Sequence, residues 1–151
     1  MRAPIEAPFP SDAWFVRLVE RAEADQETLV RLGFADLRLG IEIVTDDGAT
    51  QLYGLVLDGY EIRSTGATSV AELAPEVVVS GPVSAWREMV AAIVAGGGAD
   101  GPSTLNSLTL AGVPLEVRSD DAVGQDKFFR FMGTIQAVFD AAGRPLATTA
   151  A

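Results

Sequence analysis

The residue types that carry out most chemistry near neutral pH are missing from this chain, which has 151 residues and neither histidine nor cysteine. Histidine is the side chain whose ordinary pKa lies between about pH 5 and 8, and cysteine is a strong nucleophile and soft metal ligand. Chemistry would therefore have to rest on carboxylates, tyrosines and hydroxyls. This composition favours a binding protein over a catalyst, and we expect no cofactor and no bound metal.

One catalytic arrangement remains open to such a chain. Tyr53, Asp58 and Tyr60 lie close together in the sequence, and an Asp base with a Tyr donor can isomerise a ketosteroid through an enolate. However, Asp58 precedes Gly59 at the expected tip of a hairpin, where a solvated carboxylate is a weak general base near neutral pH. A histidine-free isomerase of the ketosteroid type is therefore the less favoured enzyme alternative.

Two acidic pairs and a glycine run share the composition of ligand motifs but not their spacing. The pairs Asp46/Asp47 and Asp120/Asp121 lack the alternating oxygen ligands and closing Glu of a calcium loop, and turn chemistry explains them better. Residues 96–98 are all Gly. A phosphate-binding loop joins a strand to a helix N-terminus, whereas this run follows a helix. We therefore interpret it as the end of that helix.

The overall composition is apolar and yet acidic. Hydrophobic residues make up 48% of the chain, while 21 Asp and Glu against 11 Lys and Arg leave a net charge of −10. The basic residues form no stripe, which argues against nucleic-acid binding, and no polybasic segment would hold an anionic membrane. No window approaches the roughly 18 consecutive apolar residues of a spanning helix. We therefore expect no stable membrane insertion and a cytoplasmic location.

The length is typical of a single domain. A chain of this size buries about two-thirds of its unfolded surface and needs no disulfides. The first ten residues contain three prolines and no apolar run, and the last residues follow Gly143. We expect a flexible N-terminal segment over residues 1–10, one domain over residues 11–142 and a disordered tail over residues 143–151.

Apolar periodicity predicts a helix followed by a meander of strands in the first half of the chain. Helical spacing from Ser11 to Gly33 predicts one amphipathic helix of about twenty residues. The period then changes to two, which predicts strands over residues 35–45, 51–57 and 60–65. Asp-Gly pairs between them are strong hairpin signals, so this end of the sheet should be antiparallel.

The second half is predicted as a strand, a helix, a second strand and a final helix. A β-branched run at residues 77–79 precedes a helix that Pro82 opens and the glycine run ends. Residues 107–119 have strand character, either as one bent strand or as a tight hairpin. The final helix is predicted over residues 126–142.

The final helix is apolar over more than half of its circumference and contains four of the seven phenylalanines. Either it lies deep in the core or in a dimer interface, or one of its faces lines an apolar cavity, since Phe and Met re-pack around varied guests. The helix opened by Pro82 presents a second apolar stripe. From these two helices we predict a cavity lined by Trp86, Met89, Val90, Ile93, Phe128, Phe131, Met132, Ile135 and Phe139.

The order of elements and two segments resemble the sterol carrier protein type 2 family. The segments are LVLDG at residues 55–59, in the meander, and APEVVVSG at residues 74–81, which leads into the helix that carries Trp86. The resemblance covers about residues 11–142. It implies an α+β fold with a mostly antiparallel, curved, five-stranded sheet covered on one face by helices. It also implies an apolar tunnel that binds lipids, fatty acyl groups or sterols, without catalysis by the isolated domain.

Two hypotheses of function follow. In the first, the protein holds a hydrophobic small molecule or lipid (a fatty acid, fatty acyl or sterol-like compound) in an apolar tunnel, as a non-catalytic carrier or substrate-presenting module. In the second, it is an interaction subunit. Its apolar final helix would then pair in a homodimer or with a partner enzyme of lipid or steroid metabolism, because large apolar surfaces mark interfaces or ligand sites.

Overall fold

One mixed sheet forms the middle of the fold in the computed structural model, which describes residues 5–143. Its order is β3-β2-β1-β4-β5, and every neighbouring pair is antiparallel except β1 with β4, which is parallel. The predicted meander and the mostly antiparallel five-stranded α+β architecture are confirmed. The strands are β1 (Ala35–Val44), β2 (Thr50–Gly59), β3 (Glu61–Thr68), β4 (Val77–Pro82) and β5 (Glu116–Arg118).

The described residues also form seven α-helices and two 3-10 turns. Residues 1–4 of the predicted flexible segment and residues 144–151 of the predicted tail lie outside the described part. The helices are α1 (Asp12–Glu23), α2 (Gln26–Leu32), α3 (Val70–Leu73), α4 (Val83–Gly96), α5 (Leu105–Leu110), α6 (Ala122–Arg130) and α7 (Met132–Asp140), and the 3-10 turns are Gly101–Ser103 and Ala141–Gly143.

The inner face of the sheet is apolar and forms the floor of the core. In β1, Leu39 and Ile41 are buried, and the register with β2 sets them opposite Leu55 and Tyr53. This alternation is what the period of two predicts. Buried side chains of α1, α4, α6 and α7 belong to the same hydrophobic cluster as these strand residues. The core therefore lies between one face of the sheet and the helices.

The outer face of the sheet is polar, apart from a small apolar patch under α3. A Cβ atom added at Gly54 would lie 2.8 Å from the Leu73 side chain of α3, so this glycine allows α3 to approach the sheet closely. Elsewhere the outer face carries Arg38 and Glu42. Covering by helices is thus confined mainly to the inner face.

The edge strand β3 is joined to α1 by side chains rather than by another strand. The Ala67 amide donates a hydrogen bond to Asp12 Oδ1 at 2.8 Å, and the Ile62 amide donates one to Glu23 Oε2 at 3.0 Å. Asp12 and Glu23 lie at opposite ends of α1. The helix therefore fills two backbone donors on the open side of the sheet.

The prediction of one long first helix is wrong. α1 ends at Glu23 and α2 begins at Gln26, because the Asp25 side chain accepts a hydrogen bond from the Thr28 amide at 3.2 Å and starts a second helix. An Asp side chain that caps backbone amides ends one helix and opens the next without interrupting the apolar spacing. The spacing alone therefore could not locate this break.

The prediction of strand over residues 107–119 is also wrong for most of its length. Thr104 accepts a hydrogen bond from the Ser107 amide at 3.2 Å and caps α5, which runs to Leu110. Only Glu116–Arg118 forms strand. The alternation of Leu108 and Leu110 suggested a period of two, but the Thr104 cap and the buried positions Leu105 and Thr109 follow a helical spacing.

The predicted final helix is two helices. Asp121 Oδ1 accepts a hydrogen bond from the Gly124 amide at 3.0 Å, so α6 begins four residues earlier than predicted. The chain then departs from helical geometry at Phe131, with φ −98° and ψ 14°, and resumes as α7. The break lets α6 and α7 present different faces to the core.

Candidate ligand-binding core

The nine residues predicted to line a cavity all belong to, or pack against, one apolar cluster between the sheet and the helices. The Trp86 ring on α4 stacks on the Phe139 ring of α7, with 6.0 Å between ring centroids. Three of the nine, Val90, Phe131 and Met132, are half-buried. The other six are at most 1% exposed: Trp86, Met89, Ile93, Phe128, Ile135 and Phe139.

A cavity of about 220 Å³ opens at the surface beside this core, and of the nine predicted residues Met89 lines it. The other walls are Glu88 of α4, Pro102 and Ser103 of the 3-10 turn, and Leu108 of α5. Glu88 is exposed, whereas Met89 is buried. The cavity therefore leads from an acidic rim to the flexible Met side chain, which adapts its shape more readily than other apolar residues. We call this cavity the Met89 pocket.

The wall of the Met89 pocket opposite α4 is held in place by the C-terminal cap of α4 and by hydrogen bonds to α7. Gly97, with φ 80°, ends α4 and turns the chain away from it. After the 3-10 turn, the Leu105 amide donates a hydrogen bond to Gln136 Oε1 of α7 at 2.7 Å. Asp140 accepts hydrogen bonds from Gln136 Nε2 and from the Ala99 amide, at 3.0 and 2.9 Å. The loop over the core is thus anchored to α7 at two points.

One buried polar atom in this core has no partner. The Nε1–H group of Trp86 meets no hydrogen-bond acceptor within residues 5–143. The buried Ser and Thr side chains in that part of the chain are Ser80, Thr109 and Thr134. The Thr109 hydroxyl donates to the Leu105 carbonyl at 2.7 Å, within its own helix. A buried indole N–H group normally finds an acceptor, so this orphan donor is a distinctive feature of the core.

A larger cavity of about 510 Å³ lies along β4 and β5 and is lined in part by Glu76 and Arg118. These charges already have partners. Lys127 Nζ of α6 lies 2.7 Å from Glu76 Oε2, and Arg118 lies 2.9 Å from Glu42 Oε1. Burial raises the pKa of Glu76, but hydrogen bonds from Lys127 and from the Arg38 amide, with the nearby positive charges, bring it below its ordinary value. These ion pairs join α6 to the start of β4 and the edge strand β5 to β1.

The structure does not bring the candidate isomerase residues together. Tyr53 is 2% exposed and its ring lies 4.8 Å from the Phe15 ring. Asp58 is exposed five residues further along β2, so it faces the opposite side of the sheet, about 17 Å away along the strand. Tyr60 lies in the turn that follows. The Asp58 carboxylate and the Tyr53 phenol are therefore on opposite faces of the sheet.

The acidic pairs take part in turns and caps. Asp47 accepts a hydrogen bond from the Ala49 amide at 3.0 Å, and Asp121 caps α6. Hydrogen bonds from Thr45 and Ala49 lower the pKa of Asp47. Within residues 5–143, no group of three or more carboxylates is placed to hold a metal ion.

Comparison with solved structures identifies the fold. A crystal structure of sterol carrier protein 2 has a TM-score of 0.61 at 14% identity, covering 85% of this chain and 93% of that one. A conserved hypothetical protein from Thermus thermophilus scores 0.62 at 14% identity, covering 94% and 92%. The apo form of sterol carrier protein 2 from Yarrowia lipolytica scores 0.51 at 13% identity, covering 93% and 98%. The chain has the sterol carrier protein 2 fold.

The predicted resemblance is therefore confirmed at the level of the fold. No family model matches the chain, and no curated protein sequence matches it. None of the helices within residues 5–143 combines the length and apolar character needed to cross a bilayer.

Within this sterol carrier protein 2 fold, sequence reasoning missed one side of the Met89 pocket. Pro102, Ser103 and Leu108 line it, but they lie in a segment that was interpreted as loop and strand. The Thr104 cap, followed by apolar residues at positions 105 and 108, was the available signal for a helix there. Correct assignment of α5 would have placed Leu108 beside α4.

Proposed function

We propose that this protein binds a hydrophobic ligand, a fatty acid, fatty acyl or sterol-like lipid, in the core between the sheet and helices α4 to α7. The observation that carries the proposal is the Met89 pocket, because its lining includes Met89 of the apolar core within a sterol carrier protein 2 fold. The protein would act as a non-catalytic carrier or as a module that presents the ligand to an enzyme. The proposed lining is the set of nine residues predicted from the sequence.

The ligand is expected to enlarge the Met89 pocket by moving side chains rather than to fill a ready-made tunnel. The pocket of about 220 Å³ is smaller than most sites for drug-sized ligands, which measure roughly 300–1,000 Å³. Met89 and the half-buried Met132 can change rotamer at modest cost. Apolar burial of the ligand, at roughly 25 cal/mol per Å², would supply the driving force.

Native mass spectrometry of the purified protein is the first test, followed by organic extraction and identification of any released compound. A co-purified acyl lipid or sterol supports the proposal and identifies the chemical class. Titration of the delipidated protein with the fluorescent fatty acid cis-parinaric acid provides a second readout. A protein that carries no lipid and leaves the fluorescence of cis-parinaric acid unchanged would contradict the proposal.

The interaction-subunit alternative stays a prediction, as does the cytoplasmic location. The final helix offers a partner less apolar surface than its sequence suggests, because Ile135, Val138 and Phe139 are buried in the core of the same chain. Phe129 and Val123 of α6 remain exposed, at 45% and 61%. Sedimentation velocity over a range of concentrations measures directly whether a homodimer forms.

A further inference from the structure

The orphan donor of Trp86 restricts the chemistry of the proposed ligand. The Trp86 side chain is 1% exposed, and its Nε1–H group has no acceptor in the described part of the chain. Burying a hydrogen-bond donor without a partner costs free energy that an apolar side chain of the same shape would not cost. An acceptor on a bound ligand would recover that free energy. This reasoning rests on the proposed function, since it takes the core as the ligand site.

Trp86 is a neighbour on α4 of Met89, the buried residue that lines the Met89 pocket. Trp86 and Met89 are three residues apart on α4, so their side chains are neighbours on one face of the helix. Met89 separates the pocket from the interior. A ligand that displaces the Met89 side chain would therefore enter the apolar cluster to which the Trp86 indole belongs.

The surroundings of Trp86 determine which acceptor can bind there. Within residues 5–143 no charged side chain is buried, and the buried Ser and Thr residues, Ser80, Thr109 and Thr134, contribute only uncharged hydroxyls. A carboxylate or phosphate in this interior would be an uncompensated buried charge, and one indole N–H group cannot replace its hydration. The rim at Glu88 and the net charge of −10 add repulsion to the approach of an anion. A neutral oxygen has neither of these costs.

An internal water molecule is a weaker explanation for the orphan donor. A buried water normally makes about three hydrogen bonds, in sites that provide two to four polar partners. Trp86 is instead stacked on Phe139 and belongs to an apolar cluster. An oxygen atom that is part of an apolar ligand needs only one hydrogen-bond donor, because the rest of the ligand packs against the apolar side chains around it.

We infer that the ligand carries a neutral oxygen acceptor, an ester or ketone carbonyl or a hydroxyl, and that Trp86 Nε1–H donates a hydrogen bond to it inside the core. Trp86 is then a specificity-determining residue. It selects oxygen-bearing neutral lipids over hydrocarbons of the same length, and it leaves an ionised fatty acid head outside at the rim.

The test compares the binding of three probes, delivered from methyl-β-cyclodextrin, to matched variants. Methyl palmitate offers an ester carbonyl, cholesterol a hydroxyl, and hexadecane no acceptor. The Trp86→Phe variant removes the N–H group, and the control Trp14→Phe alters the other buried tryptophan. We expect Trp86→Phe to bind methyl palmitate or cholesterol about three- to tenfold more weakly, the value of one neutral hydrogen bond. Hexadecane binding should be unchanged, and Trp14→Phe should bind all probes as the wild type does.

A second substitution guards against a packing defect in Trp86→Phe. Benzothienylalanine at position 86 keeps the ring size and replaces N–H by sulfur, so loss of binding without loss of Tm isolates the hydrogen bond. In the wild type, the proton NMR signal of Trp86 Nε1–H should move downfield with the oxygen-bearing probe and not with hexadecane. Comparing the loss of affinity for methyl palmitate with the loss for cholesterol shows whether Trp86 prefers a carbonyl or a hydroxyl oxygen.

The outcomes separate this inference from the function on which it rests. If the wild type and both position-86 variants bind each probe with the same affinity, the role of Trp86 is overturned, while the lipid-binding core is supported. An equal loss for hexadecane would also overturn it, because the donor would then matter only for packing. A wild type that binds none of the probes would contradict the proposed function itself.

Discussion

Leu108 and Leu110 form a natural pair for testing the Met89 pocket at the scale of single residues. Leu108 lines the pocket and packs against the core, whereas Leu110, two residues later in α5, is 79% exposed. The Leu108→Asp change puts a charge on the wall, so we expect at least a tenfold loss of cis-parinaric acid binding. The Leu110→Asp control should bind as the wild type does, since surface changes are nearly neutral. Equal affinity of the two variants would show that the ligand does not pass this wall.

Phe131 and Ile135 both belong to the proposed lining but differ in how deeply they are buried. Phe131 is half-buried at the break between α6 and α7, and Ile135 is 1% exposed. We expect Phe131→Asp to reduce probe binding more than it lowers the Tm. Ile135→Asp should instead lose roughly 3–5 kcal/mol of unfolding free energy, because it buries an unpaired charge in the interior. Thermal melts alongside titrations measure both effects. If Phe131→Asp loses stability and binding in parallel, Phe131 is core and its place in the proposed lining is wrong.

At the scale of elements, the ion pair between Glu76 and Lys127 joins the start of β4 to α6. The pKa of Glu76 is below its ordinary value in the folded protein, so its contribution to stability is present near neutral pH. The contribution is lost as the pH falls below about 4.5, the ordinary pKa of a Glu carboxyl.

The Glu76→Gln change should therefore cost roughly 1 kcal/mol at pH 7 and less at pH 3. Urea unfolding at the two pH values measures the difference. Glu61→Gln, at an exposed site on β3, is the matched control for the loss of a surface carboxylate. A Glu76→Gln cost of equal size at both pH values would mean that the carboxylate charge does not stabilise this junction.

The elements that could be predicted from the sequence are those that a local signal determines. Asp58-Gly59 and the period of two were sufficient for the β1–β2–β3 meander, and the glycine run marked the end of α4. The breaks at Asp25 and Phe131 could not be found in this way, because apolar spacing continues through both. The parallel pairing of β4 with β1 depends on contacts distant in sequence, which no window of residues contains.

Part of the candidate site could likewise be predicted from local sequence signals, and part could not. The i, i+3, i+4 spacing of Trp86, Met89 and Val90 placed α4 residues correctly on one apolar cluster. The opposite wall at Leu108 was missed because the wrong period was assigned to α5. The orphan state of the Trp86 donor could not be predicted at all. It depends on the absence of an acceptor around one atom, and only the packed arrangement of α4 against α7 determines that.

At the scale of the whole molecule, the net charge of −10 should keep the protein away from anionic bilayers. We expect little co-sedimentation with phosphatidylserine-containing vesicles at 10 mM salt, and no more than a slight increase at higher salt as repulsion is screened. Phosphatidylcholine vesicles are the neutral control. Strong binding at low salt that disappears at high salt would reveal a basic docking surface, against this expectation.

The two carboxylates of α1 that accept the β3 amides have a consequence for how copies of this protein behave when crowded together. An open strand flank is a growth point for fibrils, since each incoming chain can extend the hydrogen-bonded ladder. Asp12 and Glu23 occupy that flank from within the same chain. The apolar side of α1 thus packs on the core, while its polar side blocks the β3 edge against pairing with a strand of another copy.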